Sequence, residues 1–402
     1  MLLVQDFLRV NSLSALEAAH GVKARIEGHK FSLNYDQIES REDDKLAQQC
    51  RGLILRVADL SRLPIKGDSP LGDTVVLARP FDRFFNLGQA AAAQVDFDHP
   101  ATAFYEKMDG TLCIVYFDDI KGEWHVATRS VPEANLPVDG FGDFTFRTLF
   151  EKALWETVGK DFVTWSGEHL HRDVTYMFEL TSPVNRIVVD YGGYRVTLLG
   201  ARKSATGEEL DPAFVQAQVK TPTAERYRFG SVSELVDFVS DRDPTKHEGI
   251  VVCDHLYRRV KIKNASYVAL GKVRDRAASS PRALLEIVLS GKDDDVASLL
   301  PVGLVLHMEE IKSNLRDWCH RMDQGYLVCK SAADKSADEN DAREHRKAFA
   351  LAVQAEGLWI GPLMDRYQGK SESTMGWIMA SRGPDGSWAN GFLDRLLEAI
   401  QK

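Results

Sequence analysis

The sequence predicts an α+β protein in two domains: residues 1–275, mostly antiparallel sheet, then residues 276–402, all helical. Three observations carry this. Short runs rich in β-branched and aromatic residues, bounded by Gly, Asp, Pro or Asn, fill the first two thirds of the chain. Helix-period segments are few among them. After about Lys272 the strand signals fade and apolar residues recur at helical spacing. At 402 residues the chain is long for one domain and sufficient for two cores.

In chain order, the predicted strands are RGLILRV (51–57), DTVVLARP (73–80), TLCIVYF (111–117) and EWHVATRS (123–130). VTYMFELT (174–181), RIVVDY (186–191), YRVTLLGARK (194–203), GIVVCD (249–254) and RRVKIKN (258–264) follow. Between them, 138–160 turns helical after its glycines, with Phe146, Leu149, Phe150, Leu154 and Val158 near a 3.6-residue period. The later part reads as PRALLEIVLSG, VASLLPVGLVLHMEEIKSNLRDWCHRM and HRKAFALAVQAEGLWIGPLMDRY, each amphipathic. The polar stretch 335–347 is an exposed helix or loop, and SRGPDGSWANG (381–391) is a turn before a last amphipathic helix, FLDRLLEAIQK. No internal repeat is visible.

Composition narrows the class. Hydrophobic residues at 44% and charged residues at 27% are ordinary for a folded soluble protein. MLLVQDFLRVNSL is too short and too charged for a signal peptide, and no apolar run approaches a membrane span. The five cysteines are scattered with no C-x-x-C pair, so the expectation is a reduced, cytoplasmic protein. His169 and His171 share a face in GEHLHR, but nothing nearby completes a metal set. A net charge of −9 argues against nonspecific coating of nucleic acid. One local exception is the run from Leu256 to Arg282, with eight Lys or Arg and one Asp. It is a candidate polyphosphate or nucleic-acid surface, against the plainer reading of a solvated face.

The chemistry-bearing pattern begins at Lys107-Met108-Asp109-Gly110, a lysine at the mouth of a strand. A lysine that is partly desolvated among cations loses proton affinity, which makes a neutral amine available as a nucleophile. A glycine at position 110 permits close approach of backbone to a phosphate or ribose. Glu179 lies within an apolar strand, where an unpaired charge is costly. Glu248-Gly249 opens another strand, and Lys261 and Lys263 share one face of the next because side chains alternate with period two. Two parallel lysines repel unless they face anions. Each feature alone also fits a salt bridge, a turn or a solvated strand; the ordered set of four is far more specific.

Taken in order, KMDG, FEL, EGIVV and VKIK resemble the motif series of the covalent nucleotidyltransferases, which comprise ATP-dependent DNA and RNA ligases and mRNA capping enzymes. CRGLILR (50–56), RPFDRFFNLGQ (79–89) and FELTSPVNRIVVDY (178–191) are similar to segments of the phage-type RNA ligase 1 family. DNA ligases and capping enzymes carry an arginine where this chain has Leu112. Two positions depart from the RNA ligase pattern: Arg83 and Arg129 stand where lysines are common. Charge is kept while donor geometry changes.

The resemblance implies a nucleotidyltransferase (ligase adenylation) domain over 1–275 and a helical RNA-recognition domain over 276–402. It implies Lys107 as nucleophile, with Asp109, Lys261 and Lys263 as catalytic companions. ATP contacts would come from Arg51, Arg83, Phe85, Glu106, Gly110, Arg129, Glu179, Lys261 and Lys263, with Glu179 at the ribose. Glu248 and Asp109 would serve Mg²⁺, for which Mn²⁺ is an alternative. The expected partners are ATP and RNA ends, single-stranded or in broken tRNA-like loops, on a monomer. The competing expectations are a DNA ligase or capping enzyme, and a noncatalytic RNA-binding protein using the 256–282 run.

Overall fold

The computed structural model describes residues 2–401 apart from 37–38, 139–140, 279, 292, 294–295, 297–299, 301, 337–340, 384–386 and 390. The chain separates into two compact units, Met1–Gly271 and Lys272–Lys402. Among the described residues, no helix is long and apolar enough to cross a membrane.

The first unit is built on three large, mostly antiparallel sheets, with a two-stranded ribbon of Pro137–Val138 and Phe141–Thr145 besides. An N-terminal meander runs Val22–Glu27, Lys30–Tyr35, Arg51–Val57 and Thr74–Ala78, in that spatial order. A second sheet is ordered Arg195–Lys203, Val174–Thr181, Thr111–Asp118 and Glu123–Ala127. The third is ordered Arg226–Tyr227, Ala103–Glu106, Gly249–Cys253, Arg259–Lys263 and Phe85–Asn86, with only the last pair parallel.

The apolar run after Gly110 has a simple cause: its strand is covered on both faces. Cys113 and Val115 pack with Phe150, Leu154 and Trp165 from the helices Phe146–Val158 and Phe162–His169. Leu112, Ile114 and Tyr116 point the other way, onto Ile54, Leu77 and Phe81. Each such side chain contributes about 1.5–3 kcal/mol on burial, which anchors the strand. In the third sheet the alternation divides function from core. Ile250, Val252, Val260 and Ile262 pack with Leu235 and Val239 of the helix Val232–Asp241, while the residues between them face a cavity.

RIVVDY, predicted as a strand, is instead an irregular loop with a bend. Its backbone amides are spent on a side chain outside any sheet, as described below. The second unit has its own core, in which Leu284, Met308, Leu315, Phe349, Leu363 and Leu396 meet. Its elements include Pro281–Leu289, the long helix Val302–Ser336, Ala342–Ala355 and Phe392–Ile400. Part of the polar stretch 335–347, at 337–340, lies outside the described residues, as does part of the 381–391 turn.

Candidate active site

A cavity of about 780 Å³ opens in the first unit, walled by the second and third sheets and the start of the Arg51–Val57 strand. Eight of the expected site residues line it: Arg51, Glu106, Lys107, Gly110, Arg129, Glu179, Lys261 and Lys263. They come from strands far apart in sequence, so the cavity is a product of sheet packing.

Lys107 follows the last residue of the Ala103–Glu106 strand, and its backbone N–H donates to Gly249 O at 2.8 Å. Its Nζ lies 2.7 Å from Glu248 Oε2, and the other oxygen of Glu248 lies 2.8 Å from Lys263 Nζ. Glu248 is thus a buried carboxylate shared by two lysines. Gly249 is required here: a Cβ would fall 2.0 Å from Ile262 O, and its φ of 151° disfavours any side chain. Gly110 is needed for a further reason beside the close ligand approach expected of it. A Cβ there would fall 2.3 Å from Leu180 O, so the glycine lets two strands of the second sheet meet.

Cations crowd the cavity wall. Lys261 is pushed down to about 8, first by burial and then by Lys263, Lys107 and Arg51. Burial, and next the charge of Arg129, lower the proton affinity of Arg51, whose Nη1 is buried without a hydrogen-bond partner. Phe84 lies 5.5 Å from both the Arg51 guanidinium and Lys261 Nζ. Glu179 has no ion-pair partner among the described residues, and burial pushes it up to about 7 although Lys107 opposes the shift. Glu106 is raised by burial, partly offset by His247, whose Nδ1 is 3.2 Å away. An orphaned buried guanidinium N–H and converging lysines fit a polyphosphate: the donors exist and their partners are acceptors the protein does not supply.

Three expected residues sit elsewhere. Asp109 was expected at a metal or beside the lysine, but it is turned inward and 2% exposed. Its Oδ1 accepts from Tyr267 Oη at 2.7 Å, and its Oδ2 accepts from Val188 N at 2.9 Å and Val189 N at 2.8 Å. Its own N–H donates to Tyr191 Oη at 2.9 Å. With its oxygens committed to protein donors, Asp109 pins the Lys107 turn to the 185–191 loop and leaves Glu248 as the carboxylate at the lysine. Phe85 and Arg83 are not on the cavity wall either. Phe85 is buried in the edge strand and Phe84, its neighbour, faces the cavity.

Residues missed in the sequence were partly findable. Arg259 lines the cavity because it lies two before Lys261 on the same strand face, and period-two counting reaches it. Tyr267 follows that strand on the helix Ala265–Ala278, capped by Asn264 Oδ1, which accepts from Ser266 N at 2.8 Å. Tyr35 and Tyr105, also on the wall, carry no local signal. Among the described residues of the basic run 256–282, several cations are already paired. Arg258 pairs with Asp254, Arg259 with Glu209, and Arg282 with Asp394, while Lys261 and Lys263 face the cavity. The side chains of Arg274 and Arg276 lie outside the described residues.

Sheets closing on a cation-lined cavity, with a lysine held by a shared carboxylate, define a nucleotide-binding architecture. The RNA ligase family profile matches residues 49–267, just over half of the chain, and the chain belongs to that family. The chain is 32% identical over 292 residues to a protein of Autographa californica nuclear polyhedrosis virus assigned as a bifunctional polynucleotide kinase/RNA ligase. That match covers 70% of this chain but 39% of the viral protein, so the chain spans well under half of that relative. An RNA ligase of Rhodothermus phage RM378 is 24% identical over 410 residues, covering 86% of this chain and 88% of the phage protein. Among solved structures, an archaeal ATP-dependent RNA ligase shares 15% identity at a TM-score of 0.42, covering 88% of this chain and 77% of its own.

Proposed function

We propose that the protein is an ATP-dependent RNA ligase that joins 5′-phosphate and 3′-hydroxyl ends, in the repair of broken RNA such as cleaved tRNA. The observation that carries this is the Lys107–Glu248–Lys263 arrangement on the wall of a cavity with an excess of cations. Lys107 Nζ attacks the α-phosphorus of ATP, the bond to the β-phosphate breaks, and pyrophosphate leaves a phosphoramide-linked AMP. An oxygen of an RNA 5′-phosphate then displaces Lys107, giving an RNA adenylate. A 3′-hydroxyl attacks that 5′-phosphorus, and AMP leaves as the strand is sealed.

Each side chain has a stated task. Glu248 holds the Lys107 ammonium in place and takes its proton away before attack. Lys261 and Lys263 neutralise the α-phosphate, and Arg51 and Arg129 face the phosphate tail. Glu179 accepts from the ribose, and Glu106 with Tyr105 borders the nucleoside. Asp109 and Tyr267 position the Lys107 turn. Both oxygens of Glu248 lie at lysines, and no group of three His, Cys, Asp or Glu side chains among the described residues could hold a metal ion, so the chain as folded offers no fitted site for Mg²⁺, or for Mn²⁺ in its place. The helical unit is read as the RNA-recognition domain of a monomer, supported by a family match that ends at residue 267 and leaves that unit to a separate task.

Incubation with α-labelled ATP and Mg²⁺ should label the wild-type chain and leave Lys107→Ala unlabelled. The label should then pass to 5′-phosphorylated RNA and end as free AMP with a sealed strand. A labelled Lys107→Ala chain would sink the nucleophile assignment. Sealing of DNA but not RNA would favour the DNA ligase reading instead.

A further inference from the structure

The cavity runs on past the place where a nucleotide on Lys107 would end. Lys107 N donates to Gly249 O, so Gly249 marks the level of the lysine on its strand. Cys253 ends that strand four residues on, about 13 Å away at about 3.3 Å per residue, and still lines the cavity. His255 and Tyr257 line it further along. A nucleoside bordered by Glu106 and Tyr105, with its α-phosphate at Lys107, stops short of this far end. Arg226 also stands there, opposite Tyr105 in the sheet and on the cavity wall. Its side chain is exposed and forms no ion pair among the described residues.

The turn that closes the far end is rigid. Asp254 Oδ1 accepts from Leu256 N at 3.0 Å and Arg258 N at 2.9 Å, and its Oδ2 accepts from Arg258 Nε at 2.7 Å. Tyr257 N donates to Asp254 O at 2.9 Å, and Tyr257 holds a φ of 58°, left-handed backbone that a bulky side chain rarely adopts. His255 stacks on His99, with ring centroids 3.9 Å apart and planes 23° from parallel. His99 is fixed in turn, because its Nδ1 accepts from Ala101 N at 3.1 Å. Yet His255 is exposed, Leu256 is 60% exposed and Tyr257 36% exposed. Core packing therefore does not repay the strain at Tyr257, and held strain of this kind marks a working surface. Two fixed rings beside an unmatched guanidinium suit a flat base joined to a phosphate, as an unpaired nucleotide presents them.

We propose that the far end of the cavity binds an unpaired nucleotide of the RNA strand, its base against the His255 and Tyr257 rings and its phosphate on Arg226. The inference rests on the ligase reading for RNA as the substrate. It puts a base contact in the first unit, apart from the recognition assigned to the helical unit. The continuity of the site with the nucleotide cavity favours this occupant, since the RNA end must come to the phosphate on Lys107. The adenosine of ATP is the competing occupant.

The test uses the full-length chain without ATP and a labelled single-stranded RNA in which one abasic nucleotide is moved along from each end. Anisotropy of the wild type should show about tenfold weaker binding at a particular abasic position, as expected when a base–aromatic stack is lost. His255→Ala and Tyr257→Asn remove the rings, and asparagine tolerates the left-handed backbone at 257. Both variants should bind the intact RNA about tenfold more weakly and no longer distinguish it from the abasic one. Their salt dependence should match that of the wild type, whereas Arg226→Gln should flatten it by about one phosphate contact. The apparent KM for ATP in Lys107 adenylation should stay within about twofold in the ring variants. A wild type indifferent to every abasic position overturns the proposal without recourse to any variant. So do ring variants that keep the wild-type discrimination, or whose KM for ATP rises while RNA affinity holds, which gives the rings to adenosine. A wild-type chain that forms no lysyl-AMP would instead strike the ligase reading, and the abasic comparison would still decide this one.

Discussion

Two lysines of the first unit are held by carboxylates at nearly the same distance, and they have opposite characters. Lys30 Nζ lies 2.8 Å from both Asp118 Oδ2 and Glu133 Oε1, is 0% exposed, and sits over the Tyr116 ring. Lys107 Nζ lies 2.7 Å from Glu248, is 22% exposed, and opens into the nucleotide cavity. One strand joins the two regions: Thr111–Asp118 begins after the Lys107 turn and ends on the partner of Lys30. Around Lys30 the acids match the cations, because Lys30 and Lys121 face Asp118 and Glu133. Around Lys107 the cations outnumber the acids. An ion pair therefore says little about role; surplus charge and an open side set the Lys107 cluster apart from that of Lys30.

The sharpest test of this contrast is a pair of substitutions. Lys107→Ala should abolish adenylation while costing less than about 1 kcal/mol, because Glu248 keeps Lys263 and the site is partly wet. Lys30→Met should cost about 3–5 kcal/mol by leaving Asp118 buried without its lysine and Glu133 with Lys121 alone. Urea midpoints and adenylation per folded molecule separate the two effects. Equal destabilisation by both would erase the distinction.

The two regions should also respond to pH with opposite sign. Burial raises Glu133, but hydrogen bonds from Lys121 and Lys30 outweigh it and hold the carboxyl down at about 2. Asp118 is likewise pushed up by burial, yet Lys30 and the Lys121 amide hold it well below the ordinary range. Their contribution is present above the unfolded carboxylate values of about 4 and is lost as pH falls through the folded ones. Burial and then the Lys30 charge lower His125 to about 4, so the fold also loses stability as pH drops from about 6.5. Glu179 works the other way. Its folded value of about 7 exceeds the unfolded one, so stability is lost as pH rises from about 4.3 through 7. Glu179→Gln should remove that fall, seen as a flatter thermal midpoint between about pH 5 and 7. An unchanged profile would mean the carboxyl is ionised throughout.

A smaller effect tests the link between strand and site. Tyr267→Phe removes the hydrogen bond to Asp109 and should cost about 1–2 kcal/mol. Adenylation should slow about tenfold at saturating ATP with the KM for ATP unchanged, as expected for a residue that positions Lys107 and touches no phosphate. A rise in KM alone would place Tyr267 on the nucleotide wall.

Much of this arrangement was legible from local pattern. Strand alternation places Lys261 and Lys263 together, and extending it by one step reaches Arg259. The KMDG, FEL, EGIVV and VKIK segments mark a chemistry that the family match then names. Local pattern misjudged RIVVDY as a strand; the roles of Asp109 at a metal or the lysine and of Phe85 at ATP were implied by the family resemblance instead. RIVVDY has strand composition, yet its Val188 and Val189 amides go to a carboxylate 79 and 80 positions away, which no local propensity encodes. Lys30, in GHKFSLNY, looks solvated as a lysine beginning a strand until Asp118 arrives from another strand and Glu133 from a turn.

The sequence by itself determined most of the strands of the central sheet and their faces, the position of the candidate nucleophile, and the class of chemistry, because these follow from nearest-neighbour sterics and from motif order. Only the tertiary structure decided which carboxylate holds which lysine, which phenylalanine faces the cavity, and that Asp109 serves the backbone. Those choices depend on charges and rings brought together when separate sheets close, where desolvation makes every unmatched group costly and leaves a surplus of cations only where an anion is to bind.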